Sequence, residues 1–83
     1  MNTTDYFKIL TPINHPEAIS YLPYVEKALT AYIDEQPGKK GRTLRWVYVP
    51  EEDKYLRVII EPDGKTIHNA HWDRSFKRRV KRK

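Results

Sequence analysis

The chain has 83 residues, a third of them charged, with no cysteine and a net charge of +5. That length allows one small domain, which buries roughly 60–65% of its unfolded surface, and leaves no room for separate catalytic and binding domains. The composition excludes a disulfide or thiolate–zinc framework, and no apolar run approaches the ~18 residues of a membrane span.

The opening segment, MNTTDYFKIL, lacks the basic start and long apolar stretch of a signal peptide. A cytoplasmic setting is therefore expected. Within it, Tyr6–Leu10 suits either a short strand or one helical turn, and Pro12 ends either. Asn14 and His15 precede Pro16, and proline is favoured at the first helical position. Glu17 lies three residues after Asn14, in the spacing of a capping box. A helix start at Pro16 is predicted, with His15 as a helix-start residue. Pro23 interrupts that helix, because an interior proline removes a hydrogen bond and clashes with the preceding turn.

From Pro23 onward, Val25, Ala28, Leu29, Tyr32 and Ile33 recur at helical spacing, with Glu26, Lys27, Thr30 and Asp34 on the other side. The pattern predicts one amphipathic helix of about three turns. It stops at Gln36-Pro37-Gly38, and Lys39-Lys40-Gly41-Arg42 continue as a basic loop.

At Thr43 the period changes to two. Residues 43–49, 55–61 and 65–73 read as three strands, joined by turns at 50–54 and 61–64. In Glu61-Pro62-Asp63-Gly64, proline presets the first corner and glycine accepts the left-handed conformation. This suits a three-residue loop with a glycine bulge. That loop sets Glu61 against Lys65, Ile59 against Ile67, Arg57 against Asn69 and Tyr55 against His71. The same logic sets Val49 against Tyr55, Val47 against Arg57 and Trp46 against Val58. One face would then carry Leu44, Trp46, Tyr48, Leu56, Val58, Ile60, Ala70 and Trp72, and would seat the helix. The opposite face would carry Arg45, Val47, Val49, Tyr55, Arg57, Ile59, Ile67, Asn69 and His71.

The expected architecture is α+β, with one main amphipathic helix on a three- or four-stranded antiparallel sheet. Residues 6–10 would supply the fourth strand. Residues 1–76 would form the domain and residues 77–83 a basic tail. Six of those last seven residues are Lys77, Arg78, Arg79, Lys81, Arg82 and Lys83, and the remainder of the chain holds ten basic against eleven acidic residues. Such an end either contacts a polyanion, releasing its counterions, or is a solvated tail.

RNA cleavage by the 2′-hydroxyl needs a base, a cation for the phosphorane and an acid for the leaving oxygen. Histidine titrates near neutrality and arginine donates two parallel hydrogen bonds. His71 and Arg57 share a face in the register above, Tyr55 sits opposite His71, and Arg74 follows the strand. These four are the candidate catalytic residues. Arg45, Asn69 and the basic residues of the tail are the candidates for nucleic-acid contact. Each also has a plain alternative. Arg57 can pair with Glu61, His71 can be a sheet histidine, and Tyr55 a packing aromatic. His68 and His71 stand three apart, which puts them on opposite faces of a regular strand. No metal site is expected from them, and only a bulge would bring both to one site. His68 is therefore expected on the helix side. There is no phosphate-cradling glycine loop, GxSxG or thiol nucleophile, so no cofactor is expected.

The hairpin Tyr55-Leu56-Arg57-Val58-Ile59-Ile60, the Pro-Asp-Gly turn and Thr66 to Phe76 (TIHNAHWDRSF) resemble the C-terminal hairpin of the barnase/RelE-like superfamily. That group includes RelE- and ParE-type toxins and the nuclease ends of some colicins and contact-dependent toxins. The resemblance spans about residues 23–79. It implies an α+β fold with a concave RNA-binding sheet and an antitoxin or immunity protein as partner, and the function expected for the chain is a metal-independent endoribonuclease of toxin type. By position, Arg57 matches the strand arginine, His71 the late-strand polar residue and Arg74 the basic residue after it. Many RelE-type members have a longer N-terminal helical hairpin than this chain, and ParE-type relatives act on gyrase without nuclease residues. Two rival functions stay open: a non-catalytic nucleic-acid-binding module, and a protein-interaction domain such as a gyrase-type inhibitor or accessory subunit.

Overall fold

A computed structural model describes residues 1–81. In chain order the elements are β1 (Asn2–Thr3), α1 (Asp5–Ile9), α2 (Thr11–Asn14), α3 (Glu17–Ser20), α4 (Leu22–Lys27), β2 (Asp34–Pro37), a 3-10 turn (Lys39–Gly41), β3 (Thr43–Val49), β4 (Lys54–Ile60), β5 (Thr66–Trp72) and α5 (Arg74–Lys81). The five strands form one sheet in the order β1-β5-β4-β3-β2. It is mixed, because β1 runs parallel to β5 while the other pairs are antiparallel.

The class is α+β as expected, but the finer arrangement differs. A single main helix on a three- or four-stranded antiparallel sheet is replaced by several short helices and a five-stranded mixed sheet. Residues 6–10 are helical rather than a strand. The Thr4 side chain accepts the Phe7 N–H at 3.1 Å, which caps α1 and drops Phe7 into the core. The edge strand comes instead from Asn2–Thr3. Helix α4 ends at Lys27, so Tyr32 and Ile33 are not part of a helical stripe. Both are exposed and lead into β2, where the Ile33 N–H donates to the Trp46 carbonyl. Pro23 stands in the first turn of α4, where its missing N–H costs nothing. The expected Asn14–Glu17 capping box is absent; Pro16 is the N-cap of α3 and no side chain caps it.

Turn lengths decide the faces of the sheet. The first turn places Val49 against Lys54 and Tyr48 against Tyr55, one residue off the expected pairing. A one-residue slip reverses every side chain. Val47 and Val49 therefore enter the core with Leu56, Val58, Ile60 and Ala70, while Leu44, Trp46 and Tyr48 join the Arg57 face. In the second turn Glu61 meets Thr66 rather than Lys65, and the Asp63 carboxylate accepts the N–H groups of Lys65 and Thr66. The loop is thus one residue longer. A bulge then adds one more residue to β5, since Ile59 pairs with Asn69 but Ile60 with Ile67. The two single-residue offsets cancel in parity. Asn69 and His71 stay on the Arg57 face, Ile67 turns into the core, and His68 is the extra residue between them.

The core lies on the other face, beneath α1, α3 and α4, with Phe7, Ala18, Val25 and Ala28 against the strand aliphatics. Burying each large aliphatic side chain contributes about 1.5–3 kcal/mol. On the Arg57 face, α5 folds back across the sheet. Phe76 stacks on Trp46 at 5.0 Å and meets Tyr55 edge-on at 5.1 Å. Helix α5 thereby runs through the boundary expected between residues 76 and 77.

Candidate active site

Arg57 on β4 and His71 on β5 are direct cross-strand partners, so their side chains rise from the same face. The expected partner of Arg57 was Asn69; the longer turn and the bulge together move His71 into that place. Tyr55 lies two residues along β4 on the same face. It packs between Tyr48 and Phe76.

The surroundings fix the state of His71. Its Nδ1 lies 3.1 Å from the Trp72 carbonyl oxygen. A carbonyl only accepts, so Nδ1 carries the hydrogen and Nε2 keeps its lone pair. Burial, and then the charge of Arg57 and the neighbouring His15, lower the pKa of His71 below the usual histidine value. A neutral imidazole with a fixed tautomer and a free Nε2 is what a general base requires.

Arg57 stands 4.0 Å from the Asp73 carboxylate, too far for a hydrogen bond. Asp73 is otherwise engaged. It caps α5 by accepting the N–H groups of Ser75 and Phe76 and the Ser75 hydroxyl, and it accepts the Trp46 indole N–H at 2.9 Å. Burial pushes its pKa up, but those hydrogen bonds and Arg57 outweigh burial and hold it low. Asp73 therefore stays ionised and occupied, and Arg57 Nε is left buried without a hydrogen-bond partner among the described residues.

Toward the other end of the same face lies a cleft of about 690 Å³. Leu44, Arg57, Ile59, His68 and Asn69 line it, and the loop residues Pro37 to Lys39 and Arg42 complete the wall. His68 belongs to this cleft because the bulge turns it out of the core, contrary to the helix-side position expected from strict alternation. Its ring stacks on Tyr6 at 4.7 Å. Its Nδ1 is a second buried nitrogen without a hydrogen-bond partner among the described residues, 4.0 Å from Glu61. Burial, followed by the charge of Arg42, lowers its pKa. Two donor-capable nitrogens left unpaired in one cationic cleft call for an acceptor that the described residues do not provide. Asn69 Oδ1 accepts from Thr11 Oγ1 and from the Ala70 N–H, both at 2.9 Å, so its amide NH2 is what remains for a ligand.

The other expected site residues lie elsewhere. Arg45 is on the core face, not with Arg57, because the β3 register is reversed. Its guanidinium donates to the Ala28 and Leu29 carbonyls, pairs with Glu35 and lies over Tyr32. Arg74 opens α5, exposed, and lines a separate hollow of about 330 Å³ with Tyr55, Trp72 and Lys77. Lys77 is tied to Asp53 at 2.6 Å. Arg79 lies over the Phe76 and Trp46 rings, and Arg78 is exposed. Lys81 ends α5, and its side chain, with Arg82 and Lys83, lies outside the described residues.

Comparison with protein-family models, curated proteins and solved structures finds no match. The site is therefore read from its own chemistry. Sequence reasoning missed His15, Glu17, Thr11 and Tyr6. Each comes from the N-terminal arm, which runs along the outer edge of β5 and touches His71, Trp72, Asn69 and His68 respectively. The Asn-His-Pro-Glu run at 14–17 was the available signal, but it reads locally as a helix start.

Proposed function

We propose that the protein is an endoribonuclease that cleaves RNA by attack of the 2′-hydroxyl on the adjacent phosphate. The observation that carries this reading is the cross-strand pair of Arg57 and a neutral His71 with a free Nε2, beside a cationic cleft. His71 takes the 2′-hydroxyl proton. The Arg57 fork meets the phosphorane, and its unpaired Nε gains the acceptor it lacks. His68, Lys39 and the Asn69 amide hold the neighbouring phosphate in the cleft, where Arg42 is already paired with Glu61. These groups supply charge and proton transfer themselves, which is the basis for proposing a metal-independent reaction. The products are a 2′,3′-cyclic phosphate and a 5′-hydroxyl. The barnase/RelE-like resemblance, a cytoplasmic setting and a neutralising antitoxin-type partner belong to the same proposal.

The test is incubation of an oligoribonucleotide, and of its all-deoxy counterpart, with the protein in EDTA. Cleavage of the ribo strand alone is expected. His71→Ala should lower the rate by about 10²–10⁴-fold, the range for losing a positioned acid or base. Undiminished cleavage by that variant would remove His71 from the reaction.

One observation favours a second reading, nucleic-acid binding without cleavage. Arg74 and Arg78 are exposed one turn apart on α5, a spacing that suits a phosphate backbone and needs no histidine. Binding of ribo and deoxy strands alike, with neither cut, would select it.

A further inference from the structure

The N-terminal arm brings a second imidazole to the site. The rings of His15 and His71 lie 5.0 Å apart, inclined at 37°. His15 is the C-cap of α2, held by its backbone N–H donating to the Thr11 carbonyl at 2.7 Å. Thr11 is fully buried and bonded to Asn69. This anchor registers the arm along β5 and sets His15 over His71.

Both histidines are oriented by one residue, Trp72. Its carbonyl takes the Nδ1 hydrogen of His71. Its N–H donates to Glu17 Oε2 at 3.2 Å, and that same oxygen lies 3.7 Å from His15 Nδ1. Glu17 is mostly buried and is an ion-pair partner whenever His15 carries a proton. His71 is thus held by a hydrogen bond at Nδ1, and His15 turns its Nδ1 toward Glu17 at ion-pair distance, which leaves the Nε2 atoms for substrate. The two differ in their surroundings: burial and the Arg57 charge favour the neutral form of His71 against the pull of the Trp72 carbonyl, whereas His15 faces the Glu17 carboxylate.

Resting on the endoribonuclease reading, we propose that His15 is the general acid of the reaction and His71 the general base. The 2′-oxygen forms its bond to phosphorus as His71 Nε2 takes its proton. The bond from phosphorus to the 5′-oxygen breaks as that oxygen takes the Nε2 proton of His15. One proton is gained and one lost, so the enzyme carries the same net number after the step, and no oxidant or reductant is involved. Two imidazoles with centroids 5.0 Å apart disfavour two simultaneous positive charges, which keeps one base and one acid. The groups that face this pair are Arg57 from β4, Asp73 beyond β5 and Glu17 from α3.

The test compares two substrates across pH 4.5–9. One is an oligoribonucleotide, whose 5′-alkoxide leaves only when protonated. The other is uridine 3′-(4-nitrophenyl phosphate), whose leaving group departs without a proton. On the oligoribonucleotide, His15→Ala should lose about 10²–10⁴-fold and the alkaline limb of the profile. On the nitrophenyl ester it should retain most of the wild-type rate, whereas His71→Ala fails on both. A folded His15→Ala or His15→Gln variant that keeps the oligoribonucleotide rate, or that loses both substrates equally, overturns the acid role. His15→Gln covers the case in which the alanine variant does not fold. A wild-type protein that cleaves neither substrate overturns the endoribonuclease reading itself, a distinguishable result.

Discussion

Arg57 is the residue on which the chemistry turns, and its neighbours explain why it is available. Asp73 is the nearest carboxylate, yet its oxygens already accept from Trp46, Ser75 and Phe76. An arginine paired in full would be a structural cation; this one retains an unpaired buried Nε. Arg57→Ala should lower the cleavage rate by about 10²–10³-fold, as for removal of a transition-state donor. Arg57→Lys should restore RNA binding but little of the rate, because an ammonium lacks the planar fork. Rates and salt-dependent binding measured side by side check this. Full activity of the lysine variant would reduce Arg57 to a point charge. Alternation placed Arg57 and His71 on one face, and the structure keeps them there because the longer turn and the bulge cancel in parity. That His68 joins them was not legible, because the bulge depends on how Ile67 and Asn69 pack rather than on any local turn residue.

Helix α5 shows the same contrast at the scale of an element. Its sequence is so basic that it reads as a tail, either laid on a polyanion or solvated, yet a single buried aromatic docks it on the sheet. Phe76 stacks on Trp46 and is only 3% exposed. The loss of a buried phenylalanine costs about 3–5 kcal/mol, so Phe76→Ala should shift the urea midpoint by a corresponding amount and change tryptophan fluorescence. A cost within ~0.5 kcal/mol would be that of a surface position and would contradict docking. Strands β3, β4 and β5 were legible nearly to the residue, since β-branched and aromatic residues mark them plainly, whereas the short edge strands β1 and β2 carry no such pattern. The registers of β3, β4 and β5 were not legible, since each depends on one residue more or less in a turn. The slip at 50–53 turned Trp46 outward, and that exposed indole is what α5 covers. The helical spacing from Val25 to Ile33 misled because Arg45 and Glu35 hold the last residues of that run at the sheet edge, with Arg45 over Tyr32.

For the whole molecule, His68 in the cleft and His71 beside Arg57 couple folding to acidity. His68 and His71 both have folded-state pKa values below the reference of 6.5. Below that pH the unfolded chain binds protons that the folded site refuses, so stability falls. It is fully present above 6.5 and is lost as pH drops through the folded values. Asp63 and Asp73, both held below 3.8, add a second loss at stronger acid. Thermal unfolding between pH 8 and 5 should show a falling midpoint, and the double variant His68→Ala, His71→Ala should flatten it. Inorganic phosphate should oppose the fall, because a bound anion favours the imidazolium forms. A midpoint indifferent to phosphate in this window would count against anion binding in the cleft.

The acidic turn between β3 and β4 carries a consequence at the opposite end of the pH scale. Tyr21 and Tyr24 on the helical layer and Tyr48 on β3 each donate a phenolic hydrogen to Glu52, Glu51 and Asp53, so that one hairpin tip is gripped from both faces of the sheet. Those carboxylates raise all three phenol pKa values, that of Tyr21 to about 12. Half of the six tyrosines should therefore resist ionisation in mild alkali and then yield together as the grip fails. An ultraviolet base titration would record two waves of phenolate absorbance instead of one, giving the protein a built-in optical gauge of whether its tip and its helices are still joined.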